Sequence, residues 1–233
     1  MLEIEKLISG YGRMPVLHGL DMVMGDGEYV GILGHNGMGK TTLLRTLVGH
    51  VKPMAGKITL DGQDITAFPP HRRARQRIGY VPQGREIFPA LTVRENLMMG
   101  ALAGASRGPG IVGEVLEDFP RLRPLLERNG SALSGGEQQL LAIARCLCGQ
   151  PQVILLDEPT EGIQPSIIDE IIDLLSGLRQ RMQISIVLVE QNLDFIKALS
   201  DRVLLMQRGE ITRTIAPSEL DDPEVVNEFI GMA

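Results

Sequence analysis

Residues 34–41 read Gly34-His35-Asn36-Gly37-Met38-Gly39-Lys40-Thr41, and the octet fits the phosphate-loop spacing Gly-x4-Gly-Lys-[Ser/Thr]. Glycines let the backbone curl until successive N–H groups aim at one anion, and the helix that follows adds its positive end. Lys40 is placed to reach the β- and γ-phosphates of a nucleotide, and the Thr41 hydroxyl to ligate Mg²⁺. The flanks supply the context such a loop requires. Upstream, Tyr29–Leu33 is a short apolar run that predicts a strand. Downstream, residues 41–48 place Leu43, Leu44, Leu47 and Val48 on one helical face.

Further along, Val153-Ile154-Leu155-Leu156-Asp157-Glu158 sets four apolar residues ahead of two carboxylates. A strand covered on both faces reads as a continuous apolar run, and open α/β sheets bind ligands at the carboxyl ends of their strands. Asp157 is therefore the candidate holder of the Mg²⁺ shell. Glu158, one residue on, points elsewhere and is the candidate for polarising an attacking water. Between the two motifs lies Leu133-Ser134-Gly135-Gly136-Glu137-Gln138-Gln139. A serine and two glycines at a helix start gather free N–H groups and make another anion-binding end. The same residues also read as an ordinary serine cap boxed by Glu137. One chain seldom needs two polyphosphate cradles for one nucleotide, so the second is expected to serve a nucleotide held by another subunit.

The remaining pattern surrounds these motifs with an α/β frame. Residues 2–8 alternate, and residues 16–24 follow a Tyr11-Gly12 turn, which predicts an antiparallel pair. Residues 56–60 with Asp61-Gly62 predict another edge strand or hairpin, and Ile78–Val81 a strand closed by Pro82. From residue 84 to 132 Gly and Pro are frequent and the apolar spacing turns helical, which predicts a helical lobe inserted in the core. Helices are expected over 136–148, with Leu140, Ile143, Ala144 and Leu147 buried, and through Ile167, Ile171, Leu174, Leu175 and Leu178. Residues 184–189 read as a second central strand, and the chain after 202 as strand, Arg208-Gly209 turn, strand and closing helix.

Composition narrows the function classes. The 233 residues carry 23 Lys and Arg against 29 Asp and Glu, a formal charge of −6, which argues against broad nucleic-acid or anionic-membrane binding. Three tyrosines, five phenylalanines and no tryptophan leave little for a base-stacking platform. No apolar run reaches the ~18–20 residues of a membrane span, and the start lacks the pattern of a signal peptide, so a cytoplasmic chain is expected. Cys146 and Cys148, two apart on a helix, face different directions and read as buried core thiols in a reducing compartment.

The phosphate loop, Gln83 after a strand, Leu-Ser-Gly-Gly-Glu and Leu-Leu-Asp-Glu-Pro, in that order and spacing, resemble the ATP-binding subunits of ABC transporters across essentially the whole chain. The resemblance implies one ABC-type ATPase domain over 1–233. Its parts are a P-loop α/β core, an N-terminal antiparallel β subdomain and a helical lobe over about 84–150 that includes the signature segment. It implies ATP and Mg²⁺ as ligands, with Tyr11 stacking on adenine and Gly34, Asn36, Gly37, Gly39, Lys40, Thr41 and Thr42 binding ATP. Thr41, Gln83 and Asp157 would serve the metal, with Glu158 and Gln191 catalytic. Ser134, Gly135, Gly136 and Glu137 would act in trans, in a head-to-tail dimer with a second, non-identical ATP-binding subunit. Other implied partners are membrane-spanning permease subunits and, indirectly, an extracytoplasmic solute-binding protein, with no nucleic acid. The chain would then sit peripherally on the cytoplasmic face of the plasma membrane.

The finer resemblance is to subunits importing polar amides and amino acids. Tyr80-Val81-Pro82-Gln83-Gly84-Arg85-Glu86-Ile87-Phe88-Pro89 is similar to their glutamine loop. Glu158-Pro159-Thr160-Glu161-Gly162-Ile163-Gln164-Pro165-Ser166-Ile167-Ile168 is similar to that of the urea-importer subunit, with the branched-chain amino-acid subunit next. Two positions depart from the wider family: Gln191 stands where most members carry a histidine, and Gln164 where an aspartate usually crosses the dimer interface. The resembling subfamily has the same Val-Glu-Gln. A non-transport ABC ATPase is the alternative from another class, but such proteins usually join two cassettes or carry a long coiled-coil insertion. A module that binds ATP without turnover is disfavoured by Glu158.

Overall fold

The computed structural model describes residues 1–103, 110–223 and 225. Strands β1 (Leu2–Tyr11) and β2 (Met14–Met24) pair antiparallel about a turn in which Gly12 takes φ 61°. Strand β3 (Tyr29–Leu33) runs into the glycine loop, and helix α1 (Lys40–Leu47) leaves it. Strand β4 (Pro53–Leu60) and the two-residue β5 (Gln63–Asp64) form a hairpin, after which α2 (Pro70–Arg75) leads into β6 (Ile78–Val81). The chain is then helical through α3 (Val93–Ala103), α4 (Ile111–Asp118), 3₁₀ turns at Pro120–Leu125 and Gly130–Ala132, and α5 (Gly135–Cys148). Strand β7 (Val153–Asp157), α6 (Pro165–Arg181), β8 (Ser185–Glu190) and α7 (Leu193–Leu199) follow. The antiparallel pair β9 (Arg202–Gln207) and β10 (Glu210–Ile215) leads to a 3₁₀ turn at Pro217–Asp221. The closing helix expected beyond it falls largely outside the described residues.

Two sheets organise these elements, one of order β2-β1-β4-β5 and one of order β10-β9-β3-β8-β7-β6. The larger is parallel from β9 to β6. Its central strands are buried at every position because both faces are covered. Ile154, Leu156, Ile186 and Leu188 enter one apolar layer, while Val153, Leu155, Val187 and Val189 enter the other. Each such side chain contributes about 1.5–3 kcal/mol of burial. The first layer holds the helices around α5, and the second joins α1 to the antiparallel sheet. Strand β4 bears out the hairpin expected about Asp61-Gly62 and is not itself an edge. It is flanked by β1, with Leu2 opposite Leu60 and Ile4 opposite Ile58, and the edge falls to β5.

A buried arginine braces the helix that follows the glycine loop. Arg73, 1 % exposed, donates to the carbonyls of Thr46 (2.7 Å), Leu47 (2.9 Å), Thr66 (2.8 Å) and Phe68 (3.0 Å). Two of these end α1, so the cation sits at the negative end of the helix dipole. Burial lowers its pKa to about 10. Cys146 corrects a second expectation. Cys148 is buried, but Cys146 is half-buried and lines a 580 Å³ cavity together with Gly79, Tyr80, Gly100 and Arg145. Both thiols are free, as expected.

Candidate functional site

At the end of β3 the backbone leaves no room for a side chain at Gly34. A Cβ on Gly34 would lie 2.6 Å from the Met206 carbonyl, and Gly37 and Gly39 adopt φ 83° and 101°, the left-handed region that favours glycine. The loop closes over Lys40, which is 4 % exposed. Its Nζ donates to the carbonyls of Gly34 and His35 and lies 3.4 Å from Glu158 Oε1. A cavity of 430 Å³ opens here, lined by Val16, Asn36, Gly37, Gly39, Lys40, Thr41, Thr42, Gln83 and Glu158.

The two carboxylates at the end of β7 diverge. Asp157 accepts from Thr41 Oγ1 on Oδ1 and from the Tyr80 hydroxyl on Oδ2, both at 3.1 Å. Burial raises its pKa, opposed by the hydrogen bonds from Tyr80 and Thr41, and the adjoining Glu158 charge raises it further. Glu158 takes φ 47°, its N–H bonded to the Val189 carbonyl at 2.9 Å. That uncommon backbone conformation turns its side chain to Lys40, to Gln191 Nε2 (3.0 Å) and to Gln83 Nε2 (3.3 Å). Gln191 Nε2 also reaches Asn36 Oδ1 at 3.0 Å.

The donor set beside the loop fits a hard cation. A hydroxyl and a carboxylate converge, and no group of three or more His, Cys, Asp or Glu gathers to hold a metal among the described residues. Mg²⁺ is bound in this way, by one or two oxygen side chains with phosphates and water completing the octahedron. Gln83 lines the same cavity, but its amide points to Glu158 and, at 3.0 Å, to Glu161 rather than to the Thr41–Asp157 pair.

The other expected residues stand apart from this cluster. Tyr11 lies at the end of β1 and is 50 % exposed. Ser134 caps α5 in a reciprocal box, the Glu137 N–H donating to its hydroxyl (3.4 Å) and its own N–H to the Glu137 carboxylate (2.7 Å). Gly136 is required by packing, since a Cβ there would lie 2.8 Å from Ile167, and one on Gly135 would meet Arg85 at 3.1 Å. None of the residues 134–137 lines the phosphate-loop cavity.

Sequence reasoning missed the supports of Asp157 and Gln191. Tyr80 reaches Asp157 across 77 residues of chain, and nothing local announces that contact. Glu190 bonds the backbone of Gln191 at 2.8 Å. Its signal was available, since an acid closes the apolar run of β8 just as Asp157 closes β7.

Comparison with known proteins gives a consistent family. A family model described as ABC transporter matches residues 17–161. The high-affinity branched-chain amino acid transport ATP-binding protein BraG of Pseudomonas aeruginosa is 37% identical over 233 residues, covering 99% of this chain and 100% of that protein. The probable branched-chain amino acid transport ATP-binding protein LivF of Archaeoglobus fulgidus is 35% identical over 225 residues, 96% of this chain and 95% of its own. Among solved structures, the ADP conformation of MJ1267, an ATP-binding cassette of an ABC transporter, matches with a TM-score of 0.86 and 26% identity. That match covers 99% of this chain and 98% of the other.

Proposed function

The chain belongs to the ABC transporter ATP-binding family, and on that premise we propose that it is the ATP-hydrolysing subunit of an importer for branched-chain or other hydrophobic amino acids. It is an ATPase of the cassette fold, of the kind that works with membrane permease components. One observation carries the solute class: BraG and LivF, both named for branched-chain amino acid transport, match almost end to end. The urea or short-amide reading rests on residues 158–168 alone and ranks second.

The geometry supports a division of labour. Backbone N–H groups of residues 36–41, with Lys40, Thr41 and Thr42, cradle the phosphates of ATP. Thr41 and Asp157 hold Mg²⁺, with Gln83 at the edge of that shell. When bound there, the ion would neutralise charge on the phosphates. Glu158 takes the proton of the attacking water, and Gln191 orients the Glu158 carboxylate by the hydrogen bond it already makes. Tyr11 stacks on adenine. Residues 84–150 form the lobe that carries Ser134, Gly135, Gly136 and Glu137 to ATP held by a second, non-identical cassette. That none of them lines this chain's own phosphate cavity supports that role. No helix among the described residues is long and apolar enough to cross a membrane. We place the subunit on the inner face of the plasma membrane through permease subunits, served by a solute-binding protein outside.

Deletion of the gene and measurement of labelled leucine and urea uptake tests the solute. Loss of leucine uptake with normal urea uptake is expected, and the reverse overturns the reading. Native mass spectrometry of the extracted transporter should show one copy of this chain beside a different cassette; two copies with no second cassette contradict the pairing.

A further inference from the structure

We propose that Glu190 is a positioning residue for hydrolysis, its carboxylate tying the loop after Glu158 to the backbone that presents Gln191. Glu190 ends β8 and is 2 % exposed. Its Oε1 accepts from the Thr160 N–H at 2.8 Å and from the Thr160 hydroxyl at 2.6 Å. Its Oε2 accepts from the N–H groups of Gln191 (2.8 Å) and Asn192 (3.0 Å). Each oxygen thus serves one chain segment, and Thr160 lies thirty residues before Glu190 in sequence.

Both segments bear on Glu158. Gln191 contacts it directly, and Gln83 bridges Glu158 to Glu161, the residue after Thr160. The Glu158 backbone is itself bonded to Val189, one residue before Glu190. Asn192, whose N–H Glu190 holds, caps α7 through the Phe195 N–H at 3.1 Å and so anchors the far side. The tie requires an acceptor at both ends. A glutamine here would turn an NH₂ toward two existing donors whichever way its amide faced, because amides donate where carboxylates only accept. A tie of this kind sets where Gln191 Nε2 lies, and that atom spans Glu158 and Asn36 with 3.0 Å on each side.

The inference rests on the reading of Glu158 as the base, and the test separates the two. In the assembled transporter, Glu190→Gln, Thr160→Val, Thr160→Ser and Glu158→Gln are compared for kcat, KM and ATP affinity by calorimetry. Glu190→Gln should lower kcat about 10–100-fold, the usual cost of losing an orienting partner, while ATP affinity stays near wild type. Thr160→Val should lose less, and Thr160→Ser, which keeps the hydroxyl, should restore turnover. Added to Glu158→Gln, Glu190→Gln should cost little more, since residues acting as a unit are not additive. Unchanged kcat in Glu190→Gln overturns the proposal, as does a loss of affinity equal to the loss of kcat. Should Glu190→Gln fail to fold, unchanged kcat in Thr160→Val overturns it equally. Normal turnover in Glu158→Gln would instead overturn the base assignment, and the separate Glu190→Gln measurement keeps the two failures distinct.

Discussion

Lys40→Ala probes the centre of the site because Lys40 is engaged by the loop and by Glu158 together. It donates to two loop carbonyls and sits 3.4 Å from Glu158, with the two side chains 4 % and 8 % exposed. Removing one partner of a buried ion pair usually costs about 3–5 kcal/mol. Here Glu158 keeps amide donors from Gln83 and Gln191, so a penalty of about 1–3 kcal/mol is expected, the range for a buried group left partly unsatisfied. For a chain of this size that corresponds to roughly 2–12 °C in Tm, at about 2–4 °C per kcal/mol. The effect on ATP is larger. Loss of a preorganised cation aimed at the β- and γ-phosphates should weaken binding by about 10²–10³-fold, the scale of one well-placed donor in a dry site. Isothermal calorimetry with Mg-ATP reads the affinity, and thermal denaturation reads the stability. In a Glu158→Gln background the stability penalty of Lys40→Ala should shrink while the affinity loss persists, because only the first depends on the carboxylate charge. Equal ATP affinity in wild type and Lys40→Ala would refute the phosphate-loop reasoning.

Two further outcomes follow from the surrounding structure. Arg73→Met leaves four carbonyls without their charged donor and should destabilise the protein by on the order of 3–5 kcal/mol; a melting temperature within about 2 °C of wild type would contradict the brace. Burial pushes the Cys146 and Cys148 thiols up to about 12 from an ordinary 9.0. Folding therefore holds these protons longer than the unfolded chain does, so their contribution is complete below pH 9 and lost as pH rises toward 12. Urea unfolding between pH 8 and pH 11 should show a shallower alkaline decline in a Cys146→Ala, Cys148→Ala double variant; identical slopes would overturn the assignment.

The elements legible from sequence are those whose geometry is set locally or by simple periodicity. The phosphate loop is one, because Gly37 and Gly39 supply its positive φ within a few residues of Lys40. The apolar runs of β7 and β8 are another, because burial on both faces removes the polar half of the alternation. What escaped the reading depends on contacts far apart along the chain. Arg73 turns inward because the end of α1, 26 and 27 residues away along the chain, gathers carbonyls around it. Residues 56–60 with Asp61-Gly62 read as an edge strand or hairpin, and only the register with β1 places β4 inside the sheet. Gln83 lies at the expected cavity but bonds the Glu158 side, a choice fixed by Glu161, 78 residues away.

On the proposed reading, Glu158 activates water for ATP hydrolysis at the loop built around Lys40. Glu158→Gln keeps the shape and removes the basic oxygen, so turnover should fall about 10²–10⁴-fold, the range for a positioned general base. ATP should still bind, and the variant should accumulate in its ATP-bound dimeric state. Phosphate release from the purified transporter, measured beside ATP affinity on the same preparation, decides it. A collapse of turnover with retained binding is the predicted result, and near-normal turnover in Glu158→Gln would contradict the account.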